Sequence, residues 1–173
     1  MNDLHILTEC YIDTLLANVI SPPKKRYNHQ HNCTKVLGVM KDRFKDKAAF
    51  GIIDDDGCVP ALFKSFELLK RHNENLAIYK HNEKPHYIVK VGKAAEDFIL
   101  KNAEKCGVSM INYNLPDNLS DLKKRTKSIT VKNDPDLKRL FKAIKQNTNS
   151  DFYTLAQWIE KFKTNLYDLE THL

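Results

Sequence analysis

The sequence predicts an α/β fold: an open, mostly parallel sheet with helices on both faces and a helical extension at the C-terminal end. Three observations predict it. Two apolar strand-like runs, Leu4-His5-Ile6-Leu7-Thr8-Glu9 and Phe50-Gly51-Ile52-Ile53-Asp54-Asp55-Asp56-Gly57, both end in acid. Segments with helical periodicity alternate with the strand-like ones, as a parallel sheet with crossover helices requires. The chain then closes on two amphipathic helices with no strand between them.

Taken in order, a strand at 3–8 leads into a helix carrying Ile12, Leu15, Leu16 and Val19 at i, i+3, i+4, i+7, stopped by Pro22-Pro23. Residues 24–32 are basic, polar and contain histidine, and read as an exposed loop or a degenerate edge strand. Thr34 is a suitable N-cap for a helix carrying Val36, Leu37, Met40 and Phe44. The acidic strand follows at 48–54. A helix over 59–72 is expected from Leu62, Phe63, Phe66 and Leu69, then two short strands at 76–80 and 86–91 joined by Asn82-Glu83-Lys84-Pro85. Gly92 breaks the second, and a helix over 94–105 with Ala95, Phe98 and Ile99 ends at Cys106-Gly107. Residues 109–132 are turn-rich, with Asn112, Asn114, Pro116, Asp117 and Asn118. The closing helices carry Leu137, Leu140, Phe141 and Ile144, then Leu155, Trp158, Ile159, Phe162 and Leu166. The expected organisation is an α/β domain over 1–110 with a linker and helical extension over 111–173.

At 173 residues and 20.1 kDa the chain has the size of one domain with a sizeable core. No apolar run approaches the ~20 residues that cross a bilayer. The acidic residues Asp3 and Glu9 near the start argue against a secretory signal. Cys10, Cys33, Cys58 and Cys106 form no C-x-x-C pair, so reduced thiols and a cytoplasmic location are expected. The net charge of +6 is uneven: residues 1–60 hold eight Lys/Arg and eight Asp/Glu, whereas 117–146 hold nine basic residues against four acidic ones. That stretch, with Lys123, Lys124, Arg125 and Lys127, is the candidate nucleic-acid-binding segment, a solvated lysine-rich face being the alternative.

Strand ends that present carboxylates build divalent-metal sites, because Mg²⁺ takes hard oxygen ligands and fills its remaining positions with water and substrate phosphate. Side chains at i and i+2 of an extended chain point the same way, so Asp54 and Asp56 share a side while Asp55 faces elsewhere. Gly57 permits a tight turn away. Asp-Asp-Asp-Gly is also ordinary turn composition. His29-x-His31-x-Cys33 has soft-metal ligand types, but residues alternating closely in a loop seldom complete a tetrahedral site, and surface histidines are the simpler reading. Lys90 and Lys93 lie near the same sheet end and are candidates to neutralise a phosphate.

Leu4-His5-Ile6-Leu7-Thr8-Glu9-Cys10-Tyr11-Ile12-Asp13 resembles the first Toprim motif, an apolar strand followed by Glu-Gly-x-x-Asp. Ile52-Ile53-Asp54-Asp55-Asp56-Gly57 resembles the second, an apolar strand followed by Asp-x-Asp. Toprim is the catalytic module of bacterial primases, several topoisomerases, overcoming-lysogenization-defect nucleases and small ribosomal RNA maturases. The resemblance covers roughly residues 3–106 and departs from the motif at Cys10, where the family has glycine. It implies Glu9 as general acid/base, Asp54 and Asp56 as ligands of Mg²⁺ or Mn²⁺ with Glu9 able to complete the shell, and Asp13 and Glu96 as additional site residues; Asp55 and Lys93, beside them in the sequence, are further candidates. The implied function is nucleic-acid phosphodiester chemistry, most simply a nuclease, with a homodimer or partner protein allowed. The alternative is a catalytically inactive Toprim-like module that binds nucleic acid or protein in a defence or repair complex. A phosphoacceptor receiver domain ranks below both, because it needs an acidic pair after the first strand.

Overall fold

A computed structural model describes residues 3–56 and 61–173. Gly57, Cys58 and the first residues of the helix expected over 59–72 lie outside the described residues. The strands are β1 (Ile6–Thr8), β2 (Asn28–His29), β3 (Ala49–Asp54), β4 (Phe66–Asn73), β5 (Leu76–His81) and β6 (His86–Val91). They form one sheet in the order β2-β1-β3-β6-β5-β4, parallel across the first four and antiparallel across β6-β5-β4.

Two crossovers build the parallel half. Helix α1 (Tyr11–Ile20) joins β1 to β2, and α2 (Cys33–Val39), continued by a π turn over Met40–Phe44, joins β2 to β3. The first crossover steps to one side of β1 and the second steps back past it. Right-handed crossovers therefore put the two helices on opposite faces. Strand alternation matches: Ile6, Phe50, Ile52, Tyr87 and Val89 belong to the core under α1, while Leu7, Ala49, Ile53 and Ile88 belong to the core under α2. Gly51 is the point of closest approach on the α2 side. A Cβ there would lie 2.4 Å from Ile88 Cδ1 and 2.9 Å from Val36 Cγ1.

The edge strand read as degenerate exists as β2, reduced to two residues: Asn28 pairs with Leu7 and His29 with Thr8. The cap of α2 is Asn32, not Thr34; its side chain accepts from the Lys35 N–H at 2.8 Å. The expected helix over 59–72 is a larger correction. A 3₁₀ turn over Ala61–Ser65 runs into β4, which pairs with β5 as a hairpin edge. The helical spacing of Leu62, Phe66 and Leu69 is overridden because hydrogen bonds to β5 satisfy the backbone, and Leu68 is left half exposed at 49%.

Helix α3 (Ala95–Lys105) follows Gly92, whose φ of +52° suits a residue without a Cβ. Within the turn-rich segment lies an unforeseen helix, α4 (Leu119–Thr126), capped by Asn118, which accepts from the Asp121 N–H at 3.0 Å. Its single apolar turn, around the buried Leu122, is too short to announce itself by periodicity. Helices α5 (Pro135–Gln146) and α6 (Asp151–Thr164) share the α1-side core, where the Phe162 ring lies 5.0 Å from Phe50 and 6.0 Å from Tyr87. Lys163 fastens α6 to the end of α1 by donating to Ser21 Oγ at 2.6 Å and to the Pro22 carbonyl at 3.2 Å. No helix among the described residues is long and apolar enough to cross a membrane. Cys10, Cys33 and Cys106 carry thiols rather than disulfides.

His86, 2% exposed at the start of β6, is held down to a pKa of about 4 by burial, with His81 and Lys84 adding positive charge nearby. Between about 4 and 6.5 the unfolded chain therefore binds the proton that the folded one refuses, and stability falls as pH falls through that window. His86→Gln is expected to flatten the wild-type loss by about 2–3 kcal/mol between pH 6.5 and 4, measured by urea denaturation of both proteins across that range.

Candidate functional site

The four parallel strands, β2, β1, β3 and β6, end on the same side of the sheet, which changes direction of growth between β1 and β3. Open α/β sheets bind ligands in the crevice at such a switch point. Glu9 follows β1 directly and Asp54 ends β3. The Glu9 N–H donates to the Ile52 carbonyl at 3.1 Å, and the Asp54 N–H donates to Glu9 Oε2 at 3.1 Å. The Cys33 N–H reaches the same carboxylate. Two strand ends and the start of α2 thus aim Glu9 at the crevice.

Asp13 reaches it from the first turn of α1, where it forms a capping box with Cys10. The Cys10 N–H and Sγ–H donate to Asp13 Oδ2 at 3.1 and 2.9 Å, and the Asp13 N–H donates back to Sγ at 3.5 Å. Burial and the Asp13 charge push the Cys10 thiol far up, so it stays protonated and donates. The residue that breaks the glycine pattern is therefore employed as a helix cap. Glu96 enters from the first turn of α3 and accepts from Thr126 Oγ1 at the end of α4.

These carboxylates crowd one another electrostatically. Burial raises the Asp54 pKa, and the charges of Asp13, Glu9, Glu96 and Asp56 add to it, bringing it to about 9. Burial likewise raises Asp13 to about 7, with Glu9 and Glu96 contributing. Glu9 is shifted up by burial and by Asp56. Asp54 Oδ1 and Asp13 Oδ1 are buried without a hydrogen-bond partner. Mutually repelling hard oxygens with unused lone pairs fit a small divalent cation. Among the described residues, no three His, Cys, Asp or Glu side chains are gathered closely enough to hold a metal by themselves. Mg²⁺, which keeps several waters and takes phosphate oxygens, needs only one or two of them.

Asp55 lies apart from the cluster. Its carboxylate pairs with Lys90 Nζ at 2.9 Å, and Lys90, only 9% exposed, also lies 4.6 Å above the Phe63 ring. Lys90 is thus spent on the far face of the sheet, while Lys93 is exposed. In the basic segment, Lys123 and Lys127 are exposed and Lys124 pairs with Asp121 at 2.7 Å. Arg125 is occupied within the fold: it donates to Asp134 at 3.0 Å, to Asp136 at 2.8 Å and to the Asn114 carbonyl at 2.8 Å. The i+9 and i+11 spacing of those acids carries no sequence signal for such a clamp. Nor does any local pattern signal that Tyr11, His29 and His31 meet beside Glu9. The His29 ring stacks on Tyr11 at 4.1 Å with an interplanar angle of 9°, and His31 stands edge-on to His29 at 4.9 Å.

Comparison of the chain with protein-family models, curated proteins and solved structures gives no match in any of the three.

Because its folded pKa is raised, Asp54 holds a proton that the unfolded chain releases between about 4 and 9, so its contribution to stability declines as pH rises through that window. Asp54→Asn is expected to raise Tm at pH 8 by several degrees, at about 2–4 °C per kcal/mol for a chain of this size, and to weaken the decline. Mg²⁺ is expected to raise the wild-type Tm at the same pH and to leave Asp54→Asn/Asp56→Asn unchanged. Thermal melts across pH, with and without Mg²⁺, check both.

Proposed function

We propose that the protein carries out Mg²⁺- or Mn²⁺-dependent phosphodiester-bond chemistry on nucleic acid, most simply as a nuclease of Toprim type. The observation that carries this reading is the gathering of Glu9, Asp13, Asp54, Asp56 and Glu96 at the switch point, where burial and then their mutual charge raise the pKa of Asp54. A structural turn has no use for such repulsion, whereas a site that receives a cation does. Asp54 and Asp56 are the residues to hold the ion, with Glu9 beside them. When bound, it would polarise the scissile phosphate and stabilise the leaving oxygen. Glu9, shifted up by burial and held by the Asp54 and Cys33 N–H groups, suits transfer of a proton to or from the reacting oxygen. Lys123 and Lys127 suit a sequence-independent hold on the backbone.

Cys10 favours a second reading. Its side chain occupies the motif's glycine position and ties down Asp13, as expected of a scaffold that binds nucleic acid or protein without cleaving. The two readings separate on cleavage. Single- and double-stranded DNA and RNA are incubated with the protein and Mg²⁺ or Mn²⁺. Cleavage is expected to stop in EDTA and to fall roughly 10²–10⁴-fold in Glu9→Gln. Asp54→Asn and Asp56→Asn are expected to fall similarly and Asp55→Asn to stay within a few-fold of wild type. Equal tolerance of all three aspartate changes rules out the metal site. Binding that ignores EDTA, with no cleavage, selects the second reading.

A further inference from the structure

Tyr11, His29 and His31 form a cluster that the acidic site does not use. His29 pairs in register with Thr8, so its side chain shares a face with that of Thr8, the residue before Glu9. The Gln30 N–H donates to the Thr8 carbonyl at 2.8 Å, and the Cys33 N–H bonds Glu9, so the segment bearing both histidines is fastened to the acidic strand end. Tyr11 opens α1 two residues after Glu9 and meets His29 face to face. The Tyr11 and His29 side chains are part-exposed and His31 is exposed.

The surroundings are cationic. Residues 14–41 contain five Lys/Arg and no Asp or Glu, and the exposed Lys24-Lys25-Arg26 run precedes β2 toward the start of β1, where the Lys24 N–H donates to Asp3 Oδ2 at 2.6 Å. Lys132 is near enough to act on the His29 ring. Burial, His31 and Lys132 all lower the His29 pKa, which leaves it a neutral ring at pH 7. A part-exposed stack of two rings with a third edge-on, a lysine within electrostatic reach and carboxylates at one end offers ring faces and charge together. It is well matched to a chain of phosphates whose bases are unpaired.

We propose that Tyr11, His29 and His31 form a stacking platform for an unpaired base at the mouth of the Glu9–Asp54 site, and that the substrate is therefore single-stranded nucleic acid, its backbone tracked by Lys24-Lys25-Arg26 and Lys132. The assignment of substrate class rests on the phosphodiester reading above; the platform itself does not require cleavage. A duplex keeps its base faces stacked and has nothing to offer these rings, whereas a single strand has one for each nucleotide.

The test uses the full chain in EDTA. Affinities for fluorescein-labelled oligo(dT), oligo(U) and a DNA duplex are read by anisotropy. Stacking is read by quenching of 2-aminopurine placed within the single strand. Wild type is expected to prefer single strands to the duplex and to quench the probe; the two oligonucleotides identify the preferred sugar. His29→Ala/His31→Ala is expected to lose about tenfold or more in single-strand affinity along with the quenching. Its salt dependence should change little, since stacking on a ring releases no counterions. Lys24→Gln/Lys25→Gln/Arg26→Gln is expected to do the reverse: a salt slope shallower by about 0.7 for each phosphate no longer neutralised, with quenching retained at saturation. His31→Ala alone removes only an exposed ring, and covers a double variant that fails to fold by circular dichroism. The proposal is overturned if the histidine variants bind and quench like wild type, or if wild type binds duplex as tightly as single strand. Quenching lost in the histidine variants while wild type never cleaves with Mg²⁺ or Mn²⁺ upholds the platform and removes the nuclease. Histidine variants that bind and quench like wild type, while wild type cleaves with Mg²⁺ or Mn²⁺, do the opposite.

Discussion

The parallel pairing of β1 with β3 positions everything else of consequence. Its register sets Ile6 against Phe50, Leu7 against Gly51 and Thr8 against Ile52. It leaves Glu9 just past the last paired residue of β1, where its carboxylate accepts from the N–H of Asp54 at the end of β3. A slip of one residue would exchange the Phe50 and Ile52 layer with that of Ala49, Gly51 and Ile53, and turn Asp54 toward the wrong face. The packing forbids it. The α2 face at Gly51 has room only for a hydrogen, and Phe50 on the other face is met by Phe162. Two unlike cores thus enforce one register.

That register has an electrostatic consequence. Alternation sends Asp54 toward α1 and α3, whose first turns carry Asp13 and Glu96, and sends Asp55 to Lys90 on the other face. Of two adjacent aspartates, one is neutralised by a lysine and the other is set among like charges. That crowding is unfavourable for the folded chain, and the hydrophobic layers beneath offset it. Functional sites commonly hold such repulsion, because a ligand of opposite charge gains most where the protein alone is least content.

The C-terminal extension completes the fold and frames the site. Helices α5 and α6 fill the α1-side core, and the Lys163 link to Ser21 and Pro22 holds them against the end of α1. Through Thr126 on Glu96, the basic segment comes to lie at the acidic strand ends instead of elsewhere on the surface. Its charges divide by their partners: Arg125 clamps Asp134 and Asp136 to hold α4 against α5, and Lys123 and Lys127 face solvent.

The sequence by itself determined the α/β class, the strands ending at Thr8, Asp54 and Val91, and most of the helices. Apolar periodicity and local punctuation at Pro22, Gly92 and Gly107 act within a few residues, so they can be read from a string. It also indicated that Asp54 and Asp55 part company, because the two-residue repeat of an extended chain is local too. Only the tertiary structure decided that 66–73 is a strand, since pairing with β5 outweighs a helical spacing of apolar residues. Only it recruited Cys10 as a cap, consumed Arg125 and Lys90 in ion pairs, and stacked His29 on Tyr11. Each of those depends on contacts between segments whose separation in sequence carries no periodic signal, and chain proximity in three dimensions is set by the packing of both cores at once.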